Sequence, residues 1–332
     1  MIWFKFALCL VIVLFAGTRL ARYGDAIAEK TGLGRIWIGL VLLAAITSMP
    51  ELVTGISSAA VVGLPDLAIG TLLGSCALNL AILALLDILH HRTPVLTEAS
   101  SGHKISAGWG ILLIAIAAGS ILAGGRFSGL ALGWIGIPSI IIFVVYLLGM
   151  WCMFRYERSH QLLGVPTASP KYEEVTARAV YIRFALAAAA VIAAGIWLSF
   201  IGDEITETTG WGATFVGSLF LAITTSMPEL VVTIAALRLG AIDMAIADIL
   251  GSNMFNIAII APVDLFYTQG SILSSVSGGH LITAAVAVVM SLTVIVGLRF
   301  RQKRKVFGVF GWYTPVLIGL YIFVAYALFT SS

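Results

Sequence analysis

The sequence predicts an all-α integral membrane protein: ten transmembrane helices arranged as two inverted-topology repeats of five. Composition, segment length and internal repetition carry that expectation. Of the 332 residues, 60% are hydrophobic and 11% charged, whereas a soluble protein carries about a quarter charged residues. Mean hydropathy is +1.05. Apolar runs near twenty residues, long enough to cross a bilayer as a helix, recur along the whole chain. The heptapeptide TSMPELV occurs at 47–53 and again at 225–231, an offset of 178.

The ten spans are expected at 3–19, 35–62, 66–89, 105–124, 130–154, 180–201, 212–237, 241–267, 278–298 and 307–329. Lipid-facing backbone must satisfy its own hydrogen bonds, and the alternating pattern of a barrel is absent, so the spans read as helices. The first span has the look of a signal peptide but no small-residue cleavage site. Its counterpart at 180–201 argues that it stays in the mature protein. The odd-numbered loops hold 17 of the 19 Lys and Arg, leaving Lys5 and Arg126 on the other side. The positive-inside rule then places those loops in the cytoplasm and both termini outside, and the short segment between the halves suggests a prokaryotic plasma (inner) membrane. The net charge of +3 reflects this topogenic bias and gives no support to nucleic-acid binding. The run RFRQKRK at 299–305 fits a topogenic loop better than a lipid-binding patch.

Cys9, Cys76 and Cys152 show no CxxC spacing, so neither a disulfide framework nor a zinc site is indicated. The histidines are scattered apart from His90-His91, which reads as an interfacial pair. No cofactor is expected, and a monomer is the working expectation.

Repetition extends well beyond the heptapeptide. GDAIAEKTGLG (24–34) matches GDEITETTGWG (202–212), and LLGSCALNLAILALLDIL (72–89) matches ILGSNMFNIAIIAPVDLF (249–266) at an offset of 177. Each copy holds five spans, an odd number, so the second enters the membrane with opposite polarity, as in many secondary transporters. The first GD segment reads as part of a basic loop, whereas the second has no basic residue and reads as external. The expected organisation is a first repeat at 1–154, a cytoplasmic linker at 155–179 and an inverted repeat at 180–332.

Within each heptapeptide a proline precedes a glutamate inside an apolar run. Pro50 offers no N–H to the Ile46 carbonyl, and Pro228 none to that of Thr224. The expected result is a discontinuous helix with free carbonyl oxygens beside Glu51 or Glu229. Carbonyls and carboxylates are hard oxygen ligands suited to Ca2+ or Na+. The next span adds a stripe: Thr71, Ser75 and Asn79 share one helical face, and Asp248, Ser252 and Asn256 repeat the spacing. Gly70 and Gly74, with Gly251 in the second copy, allow close helix approach. Hydroxyls and amides in membrane helices often only bond a neighbouring helix. A mid-membrane glutamate is expensive and marks a functional site by default. Asp66, Asp87, Asp243 and Asp264 lie near span ends, where anchoring or capping accounts for them.

These two segments resemble the alpha repeats of the sodium/calcium exchanger superfamily, the cation/Ca2+ antiporters, in its compact prokaryotic ten-helix form. The shared pattern is GTSxPE followed by GNxxGSN in each half. The resemblance implies that Glu51 and Glu229 are the central Ca2+ ligands, helped by backbone carbonyls at Thr47 and Thr225. It implies that Ser48, Ser75, Ser226, Ser252, Asn79 and Asn256 line adjoining Na+ sites, and that spans one and six slide as a gate. This sequence departs from the pattern. The leading Gly is Ile46 or Thr224, Thr71 and Asp248 stand in place of Asn, and Cys76 replaces another Asn. Several relatives carry Asp where this chain has Asn79 or Asn256.

The reading that follows is secondary-active antiport, Na+-coupled Ca2+ export by alternating access, with inorganic cations and the lipid bilayer as partners. Two glutamates balance one Ca2+, and Asp248 adds a negative charge for Na+ or H+. Repulsion and desolvation in an empty site favour proton uptake, so an H+-coupled antiporter of Ca2+ or another metal is the alternative. The proton-coupled branch usually shows GNxxE in place of TSMPE, which leans the resemblance to sodium. A hydrolase or metalloprotease would need a nucleophile–base pair or an HExxH motif, absent here. A channel fits a carboxylate-closed site less well than alternating occupancy does.

Overall fold

The computed structural model describes residues 2–91, 93–124, 131–161, 171–209 and 216–331. Arg92, Arg126, the centre of the expected linker and the Gly-Trp-Gly end of the second GD segment lie outside the described residues. The protein is an all-α integral membrane protein. Its principal helices are α1 (Ile2–Thr31), α2 (Arg35–Val61, interrupted at Ser48), α3 (Pro65–Leu89), α4 (His103–Ala123), α5 (Ile137–Gln161) and α6 (Ala177–Thr209). They continue as α7 (Val216–Thr225 and Met227–Arg238), α8 (Ile242–Phe266), α9 (His280–Arg299) and α10 (Tyr313–Ser331). Eight of them are long and apolar enough to cross a membrane, and α10 adds a shorter apolar helix at Tyr313–Leu328. α7, described from Val216 on and divided at Ser226, is not among the eight.

Several boundaries differ from the sequence expectation, for local reasons. The first GD segment is helical up to Thr31, not a loop, because no breaker precedes Gly32. Gly32 adopts φ +67, the left-handed conformation that ends helices. α6 likewise carries the second GD segment as helix up to Thr209. The fifth span begins at Ile137, not 130, after an antiparallel hairpin of β1 (Ala131–Leu132) and β2 (Ile135–Gly136). The last begins at Tyr313, behind a short bridge between Val306 and Phe310.

Long apolar faces on α1 and α6 pack against each other, and α1 also packs on α7. α8 is the most enclosed span, contacting α2, α3, α4 and α7. Glycine makes the closest crossing possible. A Cβ at Gly39 would lie 2.4 Å from the Met244 carbonyl oxygen, and one at Gly251 2.5 Å from that of Leu40. Gly251 therefore serves α2–α8 contact, whereas Gly74 meets nothing nearer than Ala222 at 4.0 Å.

The span-end aspartates pin the connections. Buried Asp87 accepts from Val95 N at 2.8 Å, Gly311 N at 2.5 Å, Tyr313 Oη at 2.5 Å and Thr314 Oγ1 at 2.7 Å. Asp264, its equivalent in the other half, accepts from Gly136 N at 2.8 Å and Ile272 N at 2.7 Å. Asp243 accepts from Ser100 N and contacts His103 Nε2 at 2.9 Å, while Asp66 accepts from Ser277 N and contacts His280 Nε2 at 2.9 Å.

Replacing Asp87 by Ala strands several buried donors, which costs about 3–5 kcal/mol. Replacing Asp66, whose side chain is 53% exposed, costs less than about 1 kcal/mol. Thermal unfolding followed by tryptophan fluorescence in detergent should show a much larger fall in midpoint for Asp87→Ala. Equal shifts would contradict the anchoring role.

Candidate cation site

The two heptapeptides break their helices in the same way. Ser48 has φ −88 and ψ 10, and Ser226 has φ −87 and ψ 9. Backbone bonds bracket each break: Ser48 N to Ala44 O and Leu52 N to Ser48 O, then Ser226 N to Ala222 O and Leu230 N to Ser226 O. Pro50 and Pro228 fall in the first turn of the resumed helix, where a missing N–H is tolerated. Glu51 and Glu229 share that turn, so the positive end of each helix piece faces a carboxylate. Wider π-helical turns at Ile38–Leu43 and Ser57–Val61 flank the break in α2.

The four helices α2, α3, α7 and α8 bring these residues together. Each serine donates to the glutamate of the other heptapeptide: Ser48 Oγ to Glu229 Oε1 at 2.8 Å and Ser226 Oγ to Glu51 Oε1 at 3.0 Å. Ser75 of α3 donates to Glu51 Oε1 at 3.4 Å, and its Oγ lies 3.3 Å from that of Ser226. Thr47 Oγ1 lies 3.5 Å from Asp248 Oδ1 and 3.4 Å from Ser252 Oγ. Thr225 lies beside Glu51, its hydroxyl also bonded to the Ala222 carbonyl at 3.1 Å. Glu51, Glu229, Asp248, Ser75, Ser252, Asn79 and Asn256 are all completely buried.

What these groups lack is as telling as what they have. Glu51 Oε2, Glu229 Oε2, Asp248 Oδ2 and both polar atoms of Asn79 and of Asn256 are buried without a hydrogen-bond partner. Buried polar atoms in native proteins are normally paired, so an unpaired set in one place calls for a ligand. The unpaired set is dominated by oxygen, and its acidic members suit a hard cation. Among the described residues, no three His, Cys, Asp or Glu side chains converge to hold a metal by themselves. Hydroxyls, amides and backbone carbonyls must complete any coordination shell.

One expected member stands apart. Thr71 donates its hydroxyl proton to the Leu67 carbonyl of its own helix at 2.8 Å, one turn before Ser75. Other contributors escaped the sequence reading. Asn253 Nδ2 donates to the Cys76 carbonyl at 3.2 Å, and Cys76 Sγ contacts the Asn253 carbonyl at 3.6 Å, so equivalent positions lock α3 to α8. Gly195 lies against both motif prolines: a Cβ there would be 2.6 Å from Pro50 Cγ and 3.2 Å from Pro228 Cγ. Gly17, its equivalent at offset 178, packs on Val231 in the same manner. The recurrence of glycine at that offset was the available signal.

A cation entering the cluster stabilises the folded chain by mass action. Millimolar Ca2+ should therefore raise the unfolding midpoint of the detergent-solubilised protein, and Glu51→Gln/Glu229→Gln should remove the shift. An unchanged shift in the double variant would place the ion elsewhere.

Known proteins share this architecture. The solved sodium-calcium exchanger NCX_Mj, soaked with Na+ and Ca2+, superposes with a TM-score of 0.71 at 18% identity, over 96% of this chain and 95% of that chain. Inner membrane protein YrbG of Escherichia coli (strain K12) is 26% identical over 281 residues, 79% of each chain. Sodium/calcium exchanger MaX1 of Methanosarcina acetivorans is 31% identical over 133 residues, covering 39% of this chain and 35% of its own length. The sequence model described as sodium/calcium exchanger protein matches twice, at residues 1–152 and 179–331. Together these stretches take in every residue of the buried cluster, and the chain belongs to the sodium/calcium exchanger family.

Proposed function

We propose that the chain exports Ca2+ in exchange for Na+ by alternating access, with Glu51 and Glu229 as the shared Ca2+ ligands. The observation that carries this reading is the buried, partly unpaired oxygen cluster in which each heptapeptide's serine holds the other's glutamate. Backbone carbonyls at Thr47 and Thr225 complete the Ca2+ shell, and Ser48, Ser226, Ser75, Ser252, Asn79 and Asn256 face the Na+ positions. Asp248 supplies the third negative charge, bound through Thr47. The halves are inverted repeats at 1–154 and 180–332, the odd loops face the cytoplasm and both termini lie outside. The protein works as a monomer in the plasma membrane. α1 and α6 slide as the gate, touching the motif helices through Gly17 and Gly195.

Proton coupling is the second reading, and Asp248 favours it: a third buried carboxylate beside two glutamates gives protons a competing place to bind. Radiolabelled Ca2+ uptake into Na+-loaded proteoliposomes, beside a pH-gradient arm and Glu51→Gln/Glu229→Gln, separates the two. Uptake that needs the Na+ gradient and vanishes in the variant is the expected result. Uptake driven by the pH gradient alone would reassign the coupling ion, and no flux in either arm would overturn the choice of Ca2+.

The gate assignment makes its own prediction. In Gly195→Ala the new methyl meets a rigid proline ring, so the maximal exchange rate should fall more than the Ca2+ affinity does. Equal losses in both would argue that Gly195 shapes the site and not the motion.

A further inference from the structure

A cavity of about 430 Å³ lies outside the cation site, between α1, the segment that leads into α6, and α6 itself. Its lining includes Arg19, Arg22 and Tyr23 from α1, Tyr172 from the connecting segment and Arg183 from α6. Arg19 and Arg22 are three residues apart, so they share a helical face. Arg183 approaches from the neighbouring helix. Three arginines therefore line one opening.

Among the described residues, none of the three forms an ion pair. Of the nearby carboxylates, Asp25 and Glu29 are already engaged, and the exposed Glu173 and Glu174 form no ion pair with the arginines among the described residues. Asp25 binds Arg35 Nε at 2.6 Å and accepts from Tyr172 Oη at 3.1 Å. Glu29 accepts from the backbone N–H groups of Lys171 and Tyr172 at 3.0 and 2.9 Å. Residues 162–170, LLGVPTASP, contain no acidic side chain that could neutralise the arginines. Burial, and after it the Asp25 charge, pushes the Tyr172 phenol up to about 12, so it stays a neutral donor that fixes the cavity wall.

The surroundings identify the source of the missing anion. Arg19 stacks over the Phe15 ring at 4.6 Å. Phe15, Ile182 and Leu186 are 63%, 51% and 67% exposed. They lie within about a turn of Arg19 or Arg183 and form a lipid-facing apolar surface. The arginines thus stand where that apolar surface ends, on the side carrying most of the basic residues, which is where headgroups of anionic lipids lie. Guanidinium forks match phosphate oxygens bidentately.

We propose that this cavity is a binding site for the phosphate headgroup of an anionic phospholipid, held by Arg19, Arg22 and Arg183 and bridging α1 to α6. The bound lipid's acyl chains run over Phe15 and Leu186. A headgroup tied to both helices couples their positions to membrane composition. That consequence rests on the gate role proposed above, whereas the binding itself does not.

The test is a binding titration of the purified full-length chain in neutral detergent with short-chain phosphatidylglycerol, short-chain phosphatidylcholine and inorganic phosphate. Three forms are compared: the unaltered chain, Arg19→Gln/Arg22→Gln/Arg183→Gln, and a control of equal charge loss, Arg299→Gln/Lys303→Gln/Arg304→Gln. The unaltered chain should prefer phosphatidylglycerol, and the first variant should bind it roughly a hundredfold more weakly, the loss expected for three basic side chains at a lipid surface. The control should stay within about twofold. Equal weakening in both variants would reduce the site to a diffuse basic surface and overturn the proposal. Inorganic phosphate binding as tightly as the lipid would overturn the lipid source. Retention of the Ca2+ thermal shift in the first variant confirms that it folds, and Arg→Lys at the same positions should restore part of the affinity. Because the readout is binding, failure of Na+-coupled exchange would leave this result standing, and the reverse also holds.

Discussion

Three carboxylates buried in a low-dielectric interior, with no cationic side chain among the described residues paired to any of them, are the constraint on which the rest of this molecule depends. Desolvating a charge is expensive unless it is paired or coordinated. Glu51, Glu229 and Asp248 each spend one oxygen on a hydroxyl and leave the other without a protein partner. In the proposed function an inorganic cation supplies that compensation, and the proline breaks and serine bonds hold the carboxylate oxygens in the buried cluster it would enter.

The reciprocity of the two heptapeptides follows from the same constraint. If Ser48 bonded Glu51, and Ser226 bonded Glu229, each half could satisfy its own charge and drift from the other. Instead, each serine reaches across. The Asn253–Cys76 contacts extend this crossing along α3 and α8, and the aspartate–histidine contacts repeat it at the helix ends. The glycines at 17 and 195 let the motif helices come close to α1 and α6, beside side-chain packing such as that of Val13 and Ala194 with Val231.

Much of this was legible in the sequence because it rests on local rules. Apolar run length located the spans, and the proline after TSM located both breaks to within two residues. The i, i+4, i+8 stripes put Ser75 with Asn79 and Asp248 with Ser252 and Asn256, and all five are buried. Thr71, at the head of its stripe, is also buried but gives its proton to its own helix four residues back. Helix ends were misjudged at Thr31 and Thr209, since polarity marks where the membrane ends and not where hydrogen bonding ends. Asp87 was read as an interfacial cap, yet it gathers donors from residues more than two hundred positions away. Contacts of that range leave no periodic trace in one sequence. The 177-residue offset could have linked Ser100 and His103 with Ser277 and His280, extending the repeat into a fourth helix of each half.

The central claim is that two half-sites, one from each heptapeptide, make one shared cation site. Equilibrium dialysis with radiolabelled Ca2+ on the unaltered chain, Glu51→Gln and Glu229→Gln tests it most directly. A shared site predicts one high-affinity ion per chain and the loss of that ion in either single variant. Two ions per chain, with each substitution removing only one of them, would show that the halves bind independently and would contradict the account.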